Sequence, residues 1–469
     1  MADTLDARDA AEAPARQGIY DEDGFVASDF LDDVREAIDA ERPKDVKAAV
    51  EPLHESELGD LLEELDPERR QGLVRLMGSE FDYTALTEVD EAIRLSIVDA
   101  MPNEQIAEAV LELDSDDAVY ILEDLEEEDR KEILAALPFR ERLRLRRSLE
   151  YPEESAGRRM QTEFVAVPPY WTVGQTIDYM REDDDLPESF AQIFVVDPTF
   201  KLLGAVDLDR ILRAKRPEKV EDVMHETRHA IPAEMDQEEA AQIIEQYDLL
   251  SAAVVDSGDR LVGVLTIDDV IDIVQAEAEE DIKRLGGVGD EEISDSVLVA
   301  AKSRFAWLLI NLVTAILASL VIGLFDATIE QMVALAVLMP IVASMGGNAG
   351  TQTMTVAVRA LASRDIDLYN AGRIIRRESL VGVLNGVLFA LIIGAVAALW
   401  FQSTSLGMVI ALAMVVNMIA AALAGILIPL LLDNFGADPA IASGTFVTTV
   451  TDVVGFFAFL GLAAWWFGI

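Results

Sequence analysis

The chain contains no cysteine and only three histidines among its 469 residues. Disulfides are therefore excluded, and so are metal sites built on thiolate ligands. Basic residues are also scarce, with 37 lysines and arginines against 86 aspartates and glutamates, and the formal net charge is −49. So negative a surface argues against nucleic acid as a partner and attracts cations instead. Such a surface is typical of a halophilic protein, whose salty cytoplasm screens the repulsion between the acids.

The negative charge is confined to the N-terminal part of the chain. Residues 1–303 hold 78 acidic against 31 basic side chains, whereas residues 304–469 hold 8 against 6. The second part contains five apolar runs of about 20 residues or more, the length that crosses the hydrocarbon core of a bilayer. The sequence thus predicts an acidic soluble part joined to an α-helical membrane domain. The predicted spans are 306–325, 332–357, 380–401, 406–432 and 440–467.

The soluble part shows two different periodicities. Residues 1–24 lack the basic and apolar regions of a signal peptide and predict a disordered tail. Residues 25–150 contain short segments with apolar residues at helical spacing, which predicts an all-α superhelical N domain. Residues 154–277 carry the order β-α-β-β-α twice, which resembles a tandem pair of CBS domains, an α/β fold. A charged connecting helix is predicted over residues 278–303.

The second CBS-like repeat carries the pattern Gly-x-x-Thr-x-x-Asp at Gly263, Thr266 and Asp269. In CBS folds this hydroxyl and carboxylate hold the ribose of an adenosine nucleotide, so the resemblance implies ATP binding there. The first repeat has Asp207 and Arg210 in place of the threonine and the aspartate. Two interpretations stay open, a nucleotide-binding domain and a CBS pair that serves only as a dimerising scaffold.

Arginines between the predicted spans lie on one side of the membrane. The loops after the first and third spans contain no basic residue, and the segment after the second contains Arg359, Arg364, Arg373, Arg376 and Arg377. The positive-inside rule therefore makes this segment cytoplasmic. We expect a multi-pass protein of the plasma membrane, with its N-terminal half in the cytoplasm and its C-terminus outside.

One carboxylate lies deep within the fifth predicted span. Asp452 is about 12 residues into this span, or roughly 18 Å along a helix. A carboxylate at that depth is costly and usually faces a water-filled path. Thr445, Thr448, Thr449 and Gly455 recur at helical spacing and extend a polar face around it. This pattern favours an ion pathway.

The second span contains the stretch MPIVASMGGNAGTQTMTV, which begins at Met339. Its polar residues fall on one helical face, at Ser344, Asn348, Thr351, Gln352 and Thr355. Unpaired backbone is tolerated in a bilayer only where it is packed in protein or lines water. We therefore expect Pro340 and the glycines to loosen the helix, so that the amides of Asn348 and Gln352 face a pore. The alternative is that the glycines only allow close packing of helices.

The donor set favours a hard cation. Oxygen ligands without cysteine or intramembrane histidine suit Mg²⁺ or Ca²⁺, and binding through a retained water shell in a wide polar site favours Mg²⁺. A symmetric homodimer would bring two copies of Asp452 together across its axis. Two other functions stay open. One is a transporter of Co²⁺ or Mn²⁺, which such ligands distinguish poorly from Mg²⁺, and the other is a membrane-anchored CBS nucleotide sensor.

The segment His225-Glu-Thr-Arg-His229 matches the zinc-binding pattern H-E-x-x-H of metalloproteases. That site requires both histidines on one face of a helix and a third ligand. Here the segment precedes Ile231-Pro232 at the start of a CBS-like repeat, and the remaining histidine is His54. We therefore predict no enzymatic activity.

The chain resembles the MgtE family of magnesium channels in three features. These are the order of its domains, the motif Pro-x5-Gly-Gly-Asn-x-Gly-x-Gln in span two, and the segment DPAIASG before TTVTD in span five. The resemblance implies a homodimer with a pore at its two-fold axis, lined by spans two and five. It implies that Mg²⁺ is held by Asp452, near Asn348 and the backbone of Ala442 and Gly444. Thr448 and Gln352 lie on the same two faces.

The resemblance also implies that cytosolic Mg²⁺ closes the channel by binding between the N domain, the CBS domains and the connecting helix. The sensor acids of the N domain stay unassigned, because the segment DSDDAVYILEDL offers too many candidates. The sensor carboxylates that the local match implies are Asp236, Glu238, Asp248, Asp269, Asp272, Glu277, Glu280 and Asp281.

Overall fold

The structure is a computed structural model that describes residues 19–21, 24–183, 186–187, 189–226, 229–288, 297–362, 371–435, 437–440 and 443–468. Contacts between residues divide the chain after Gln275 into two compact units, which are described separately below. The first unit holds the N domain and the CBS pair, and the second holds the membrane helices.

Short helices form the all-α N domain that the periodicity predicts. Their apolar faces meet in one core, in which Leu61, Leu73 and Ile133 are fully buried. Ordered structure begins before the predicted boundary at residue 25, since Ile19 is buried and the Tyr20 hydroxyl donates to Asp60 Oδ2 at 2.5 Å. The helices are α1 (Ser28–Asp39), α2 (Pro43–Val50), α3 (Glu55–Glu64), α4 (Pro67–Met77), α5 (Glu91–Val98), α6 (Asn103–Glu112), α7 (Ser115–Glu123), α8 (Glu127–Ala136) and α9 (Phe139–Leu149), with 3-10 turns at Gly78–Glu80 and Tyr83–Leu86.

The CBS pair contains two similar three-stranded sheets, which confirms the predicted α/β repeats. In each sheet the first strand is parallel to the second, and the second is antiparallel to the third. Phe194 of one repeat and Ala253 of the other lie in one shared apolar cluster. The elements are α10 (Ala156–Arg159), β1 (Ala166–Val167), α11 (Val173–Glu182), β2 (Gln192–Val196), β3 (Leu202–Asp207), α12 (Leu208–Arg213), α13 (Val220–Val223), β4 (Ile231–Pro232), α14 (Gln237–Gln246), β5 (Ser251–Val255), β6 (Leu261–Thr266) and α15 (Ile267–Leu285).

Helix α15 is longer than the helix that closes the first repeat. It begins directly after β6 and continues to Leu285, so the predicted boundary between the CBS pair and the connecting helix lies inside one helix. The helix ends before Gly286 and Gly287, and Gly287 has a φ of +69°, a conformation that glycine adopts without strain. Val297 already belongs to the first membrane helix, whereas the sequence placed it in the connector.

Five helices in the described part of the second unit are long and apolar enough to cross a membrane, as the sequence predicts. Helix α20 packs against α18, α19 and α21, and α16 packs against α21. These helices are α16 (Val297–Gly323), α18 (Ala334–Ala362), α19 (Ala371–Trp400), α20 (Thr404–Asn434) and α21 (Ser443–Phe467), and the short α17 (Asp326–Gln331) precedes α18.

The expectation that Pro340 and the glycines loosen the second span enough to free its backbone is wrong, because the helix continues through all of them. Helix α18 is helical from Ala334 to Ala362, and this range includes the whole Gly-Gly-Asn stretch. A Cβ atom on Gly346 would lie 2.2 Å from Asn417 Nδ2, and one on Gly350 would lie 2.5 Å from Val447 Cγ1. These two glycines therefore allow neighbouring helices to approach closely, which was the alternative interpretation.

Candidate functional site

Helix α18 presents a polar stripe that its own bundle does not cover. Two hydroxyls of the stripe are satisfied by the helix itself, since Thr351 and Thr355 each donate to a carbonyl one turn earlier at 3.0 Å. The amide of Asn348 lies 3.4 Å from the Ser344 hydroxyl. A stripe of this kind is costly against lipid and belongs against water or protein. Its exposed members are Ser344, Asn348, Thr351, Gln352 and Thr355.

Asp452 lies on the neighbouring helix α21. It is half-buried, and no charged group of the described residues faces it. One turn earlier, the Thr448 hydroxyl donates to the carbonyls of Gly444 and Thr445, both at 3.0 Å. A Cβ atom on Gly347 would lie 3.9 Å from Thr448 Cγ2, so α18 and this part of α21 are in close contact. The predicted polar residues of the two spans therefore lie on adjacent helices.

The sequence placed Gly455 on the polar face around Asp452, and this prediction is wrong. Gly455 is buried against the side chain of Asn417. Helical spacing alone does not reveal this burial. Gly455 lies one turn from Asp452, but α21 packs against several neighbouring helices. Ala442 lies outside the described residues.

The soluble unit contains a cluster of facing carboxylates. Asp116 and Asp117 lie in the first turn of α7, and Asp269 lies in the first turn of α15. Burial, followed by repulsion from Asp269, raises the pKa of Asp116 well above its usual range and that of Asp117 to about 7. Asp116 Oδ1 is buried without a hydrogen-bond partner in the described structure. Repulsion among the ionised carboxylates thus favours the protonated forms of Asp116 and Asp117, and a side-chain hydrogen bond joins Asp116 to Asp269. The cluster also has at least one unused oxygen ligand.

The side chain of Asp269 is held by hydrogen bonds from Thr266, the residue before α15. Its Oδ2 atom accepts hydrogen bonds from the Thr266 hydroxyl at 2.5 Å and from the Thr266 backbone N–H at 3.2 Å. Burial nevertheless raises the pKa of Asp269. One turn further along α15, burial and repulsion from Glu88 and Asp268 raise the pKa of Asp272.

The donor set of this cluster suits a hard divalent cation, because it consists only of carboxylate oxygens. The described residues contain no group of three or more potential ligands already gathered around one point. An ion would have to draw these side chains together. The sequence did not identify Asp116, Asp117 or Glu88, and its only signal was the acidic run Asp-Ser-Asp-Asp at the start of α7.

Other predicted sensor residues lie elsewhere in the first unit. Asp236 caps α14, because its Oδ1 atom accepts from the backbone N–H groups of Glu238 and Glu239 at 2.9 and 3.3 Å. The Glu238 carboxylate accepts from Gln242 Nε2 at 3.2 Å. Asp248 is exposed in a turn with a φ of +51°. Asp236 and Asp248 thus have local structural roles whether or not they bind ions.

The remaining predicted sensor acids lie in the second unit, at the end of α15. Arg284 pairs with Glu280 and with Asp438, a residue of the segment before α21 that the sequence did not identify. Burial and repulsion from Asp438 raise the pKa of Asp281. Glu277 is partly buried one turn before Asp281.

The last residue of α15 also touches the ends of the membrane helices. Leu285 packs against an apolar cluster formed by α18, α21 and the segment between α20 and α21. The buried members of this cluster are Met354, Val358, Ala440 and Val447.

The three residues of the nucleotide pattern have contacts within the protein itself. A Cβ atom on Gly263 would lie 2.6 Å from the carbonyl oxygen of Gln161, whose backbone pairs with Val264 through two 2.8 Å hydrogen bonds. A glycine is thus needed at position 263 because the backbone of Gln161 passes too close for a side chain. The Thr266 hydroxyl and the Asp269 carboxylate, which the pattern assigns to a ribose, bond to each other.

The two histidines of the H-E-x-x-H segment do not share a helical face. Helix α13 ends at Val223, and His225 pairs with Ala205 as an isolated strand bridge. His229 stacks on the ring of Tyr247 with 3.6 Å between the ring centroids. The zinc site that this pattern would require is not formed by these described residues.

Comparison with known proteins follows the same division of the chain. Residues 339–462 match the family described as a divalent cation transporter, MgtE. Residues 53–154 match the MgtE intracellular N domain, and residues 156–216 and 220–276 each match the CBS domain.

Several known proteins are similar over most of their length. The magnesium transporter MgtE of Enterococcus faecalis is 36% identical over 316 residues, which cover 67% of this chain and 70% of that protein. The magnesium transporter MgtE of Thermus thermophilus is 31% identical over 425 residues, covering 87% and 94%. A solved structure of the cytosolic domain of the Mg²⁺ channel MgtE in complex with ATP is 27% identical and covers 52% of this chain and 99% of that one, with a TM-score of 0.49.

Proposed function

Because the chain belongs to the MgtE family of divalent cation transporters, we propose that it conducts Mg²⁺ passively across the plasma membrane. The observation that carries this proposal is the uncovered polar stripe of α18 beside Asp452 of α21. Asp452 lies one turn beyond Thr448, which is in close contact with Gly347 of α18. A carboxylate inside a membrane helix, with no charged group of the described residues facing it, has an ion as its natural partner.

In this proposal the ion crosses with most of its water shell. Mg²⁺ dehydrates reluctantly, so the Asp452 carboxylate attracts it by charge while water remains between them. The amides of Asn348 and Gln352 then hydrogen-bond to the coordinated water, and the hydroxyl of Thr448 widens the polar surface. One carboxylate is a weak site for a divalent cation, and a second copy across a two-fold axis doubles the negative charge.

We propose that the functional unit is a homodimer with α18 and α21 at its axis. The stripe of α18 is exposed in the single chain, although its flanks are apolar. A second copy would remove it from lipid and leave an aqueous path between the chains. The arginines at the end of α18 and at the start of α19 favour a cytoplasmic location for these two helix ends, and hence for the soluble unit.

We propose that cytosolic Mg²⁺ closes the channel by binding at the cluster of Asp116, Asp117 and Asp269. Without an ion, these carboxyls lie close together only while they share protons, and repulsion between their ionised forms opposes close approach of α7 and α15. A divalent cation supplies the missing positive charge and a ligand for the unused oxygen of Asp116. Since the ion binds the compact arrangement more tightly, its binding shifts the population toward that arrangement.

The acids at the end of α15 form a second proposed group. Glu277, Glu280 and Asp281 lie on the part of the helix that reaches the segment before α21. Their charge is only partly balanced by Arg284, which pairs with Glu280 and Asp438. We propose that cations bound here act on the pathway directly, whereas those at Asp116 act through α15.

Transport itself is tested with the purified full-length protein in vesicles that contain a Mg²⁺-sensitive dye. We expect Mg²⁺ to enter these vesicles and not protein-free vesicles, with no energy source present. The same vesicles are then given Co²⁺ or Mn²⁺ with a matching dye. Entry of Co²⁺ or Mn²⁺ without Mg²⁺ would support the alternative transporter, and entry of none of the three would support the membrane-anchored nucleotide sensor.

ATP binding at the second CBS repeat is proposed on the Thr266 and Asp269 pair. The substitution Thr266→Val keeps the shape of the side chain and removes the hydroxyl. We expect it to weaken ATP binding to the full-length protein by about tenfold, the effect of one or two lost hydrogen bonds. Equilibrium dialysis with ATP in buffer free of divalent cations measures this.

The matched control is Asp207→Val, which changes the corresponding position of the first repeat. We expect it to leave ATP binding unchanged, because that repeat lacks the hydroxyl and the carboxylate. Absence of ATP binding by the wild type would support the CBS pair as a scaffold, and equal ATP binding by the wild type and the Thr266→Val variant would contradict the role of Thr266. Since Asp269 also belongs to the carboxylate cluster, bound ATP and bound Mg²⁺ compete for this side chain.

A further inference from the structure

Asn417 is a fully buried polar residue in the middle of α20. Its Nδ2 atom donates a hydrogen bond to the backbone carbonyl of Val342 in α18, at 2.8 Å. Its Oδ1 atom is also buried and has no hydrogen-bond partner in the described structure. A buried amide that leaves one of its polar atoms unsatisfied is unfavourable, and such a residue calls for an explanation.

Two glycines on different helices provide the space for this amide. A Cβ atom on Gly346 of α18 would lie 2.2 Å from Asn417 Nδ2, and one on Gly455 of α21 would lie 2.7 Å from the same atom. The Oδ1 atom lies 3.0 and 3.1 Å from those two Cβ positions. The amide is therefore enclosed between α18 and α21 and is the point at which three helices meet.

The hydrogen bond is made to α18 near its proline. Pro340 has no backbone N–H, so the carbonyl four residues earlier loses its helical partner and the ladder is weakened there. Val342 lies two residues beyond the proline, and its carbonyl accepts from Asn417 in addition to the helix itself. Asn417 thus attaches α20 to α18 just beyond the proline, one turn before Gly346.

We propose that Asn417 is a positioning residue for the ion pathway: it fixes α18 against α21, so that the polar stripe and Asp452 stay aligned. The inference rests on the proposed transport of Mg²⁺. Asn417 is fully buried and does not line the exposed polar stripe. The enclosed amide gives α18 and α21 one register, since sliding either helix would bring a residue with a side chain into the space that its glycine leaves open.

The first test measures Mg²⁺ uptake by full-length variants in vesicles. Asn417→Leu has a similar volume and no donor, and we expect it to lower uptake at least tenfold. The control is Asn311→Leu, the same change at an exposed position of α16, which we expect to leave uptake unchanged. Unchanged uptake in Asn417→Leu would overturn the proposal.

A double-mutant cycle separates positioning from general destabilisation. Gly455→Ala alone should lower uptake, because the new methyl group collides with the amide. In the pair Gly455→Ala and Asn417→Ala this collision is gone, so we expect uptake no lower than in Asn417→Ala alone. Losses that multiply in the pair would show that the two sites act independently and would contradict the proposal.

The natural absence of cysteine allows a readout that does not depend on transport. A single cysteine is introduced by Ser344→Cys, on the exposed side of α18, and its reaction with a charged thiol reagent is timed. We expect the reaction rate to change at least threefold when Asn417→Leu is added and to stay constant when Asn311→Leu is added. If the wild type carries no Mg²⁺, this rate still tests the positioning role, and an unchanged rate refutes it.

Discussion

Replacing Asp452 with alanine is expected to reduce Mg²⁺ uptake into vesicles by about a hundredfold, which corresponds to about 3 kcal/mol less stabilisation of the ion within the membrane. The carboxylate is the one negative charge that the described part of α21 places beside the polar stripe of α18. Without it, a divalent cation meets only amides and hydroxyls, which do not offset the loss of bulk water. Uptake is followed with a Mg²⁺-sensitive dye inside the vesicles.

Asp452→Asn distinguishes charge from shape in the same assay. It keeps the size of the side chain and removes its charge, so we expect nearly the same loss as in Asp452→Ala. The control is Asp433→Asn, the same change at an exposed position near the end of α20. Full uptake in Asp452→Asn would mean that the pathway does not depend on this carboxylate, and the proposed function would then lack its main support.

The second large effect is expected at the sensor. Converting Asp116, Asp117 and Asp269 to asparagine removes three negative charges and the ligands of the proposed regulatory ion. We expect the Mg²⁺ concentration that half-protects the soluble unit of the full-length protein from protease to rise at least tenfold. The physical reason is that binding of the ion no longer favours the compact arrangement. The assay is run at constant high monovalent salt, so that general screening does not contribute.

A variant with the same loss of charge controls for the acidity of the surface. Asp29, Asp32 and Asp33 are exposed in α1, and their conversion to asparagine also removes three charges. We expect this variant to keep the response of the wild type to Mg²⁺. If both triple variants lost the response equally, the acids would act as a salt-adapted surface and not as a specific sensor.

The sequence identified those features that depend on one helix at a time. Asp452 and the stripe of α18 were found because a period of 3.6 residues within one span already separates a polar from an apolar face. The five spans and the two CBS repeats follow from composition and alternation in the same way. The bounds of α19 did not, because Arg373, Arg376 and Arg377 interrupt the apolar pattern although the helix begins before them.

Features that depend on distant parts of the chain were not predictable. Asp116 and Asp269 are far apart in sequence, and only folding brings the start of α7 to the start of α15. In the sequence, Asn417 is a single polar residue in an apolar span. Only the structure places its amide between Gly346 and Gly455. The same contacts explain the glycines of α18, which the sequence assigned to flexibility.

The last turn of α15 has a mechanical consequence. Arg284 forms an ion pair with Asp438, and Leu285 packs among side chains of α18 and α21. A displacement of this helix end would therefore move α18 and α21 together, and not one of them alone. If these helices line the proposed ion pathway, we expect the current through one molecule to switch in steps between two levels, without intermediate levels.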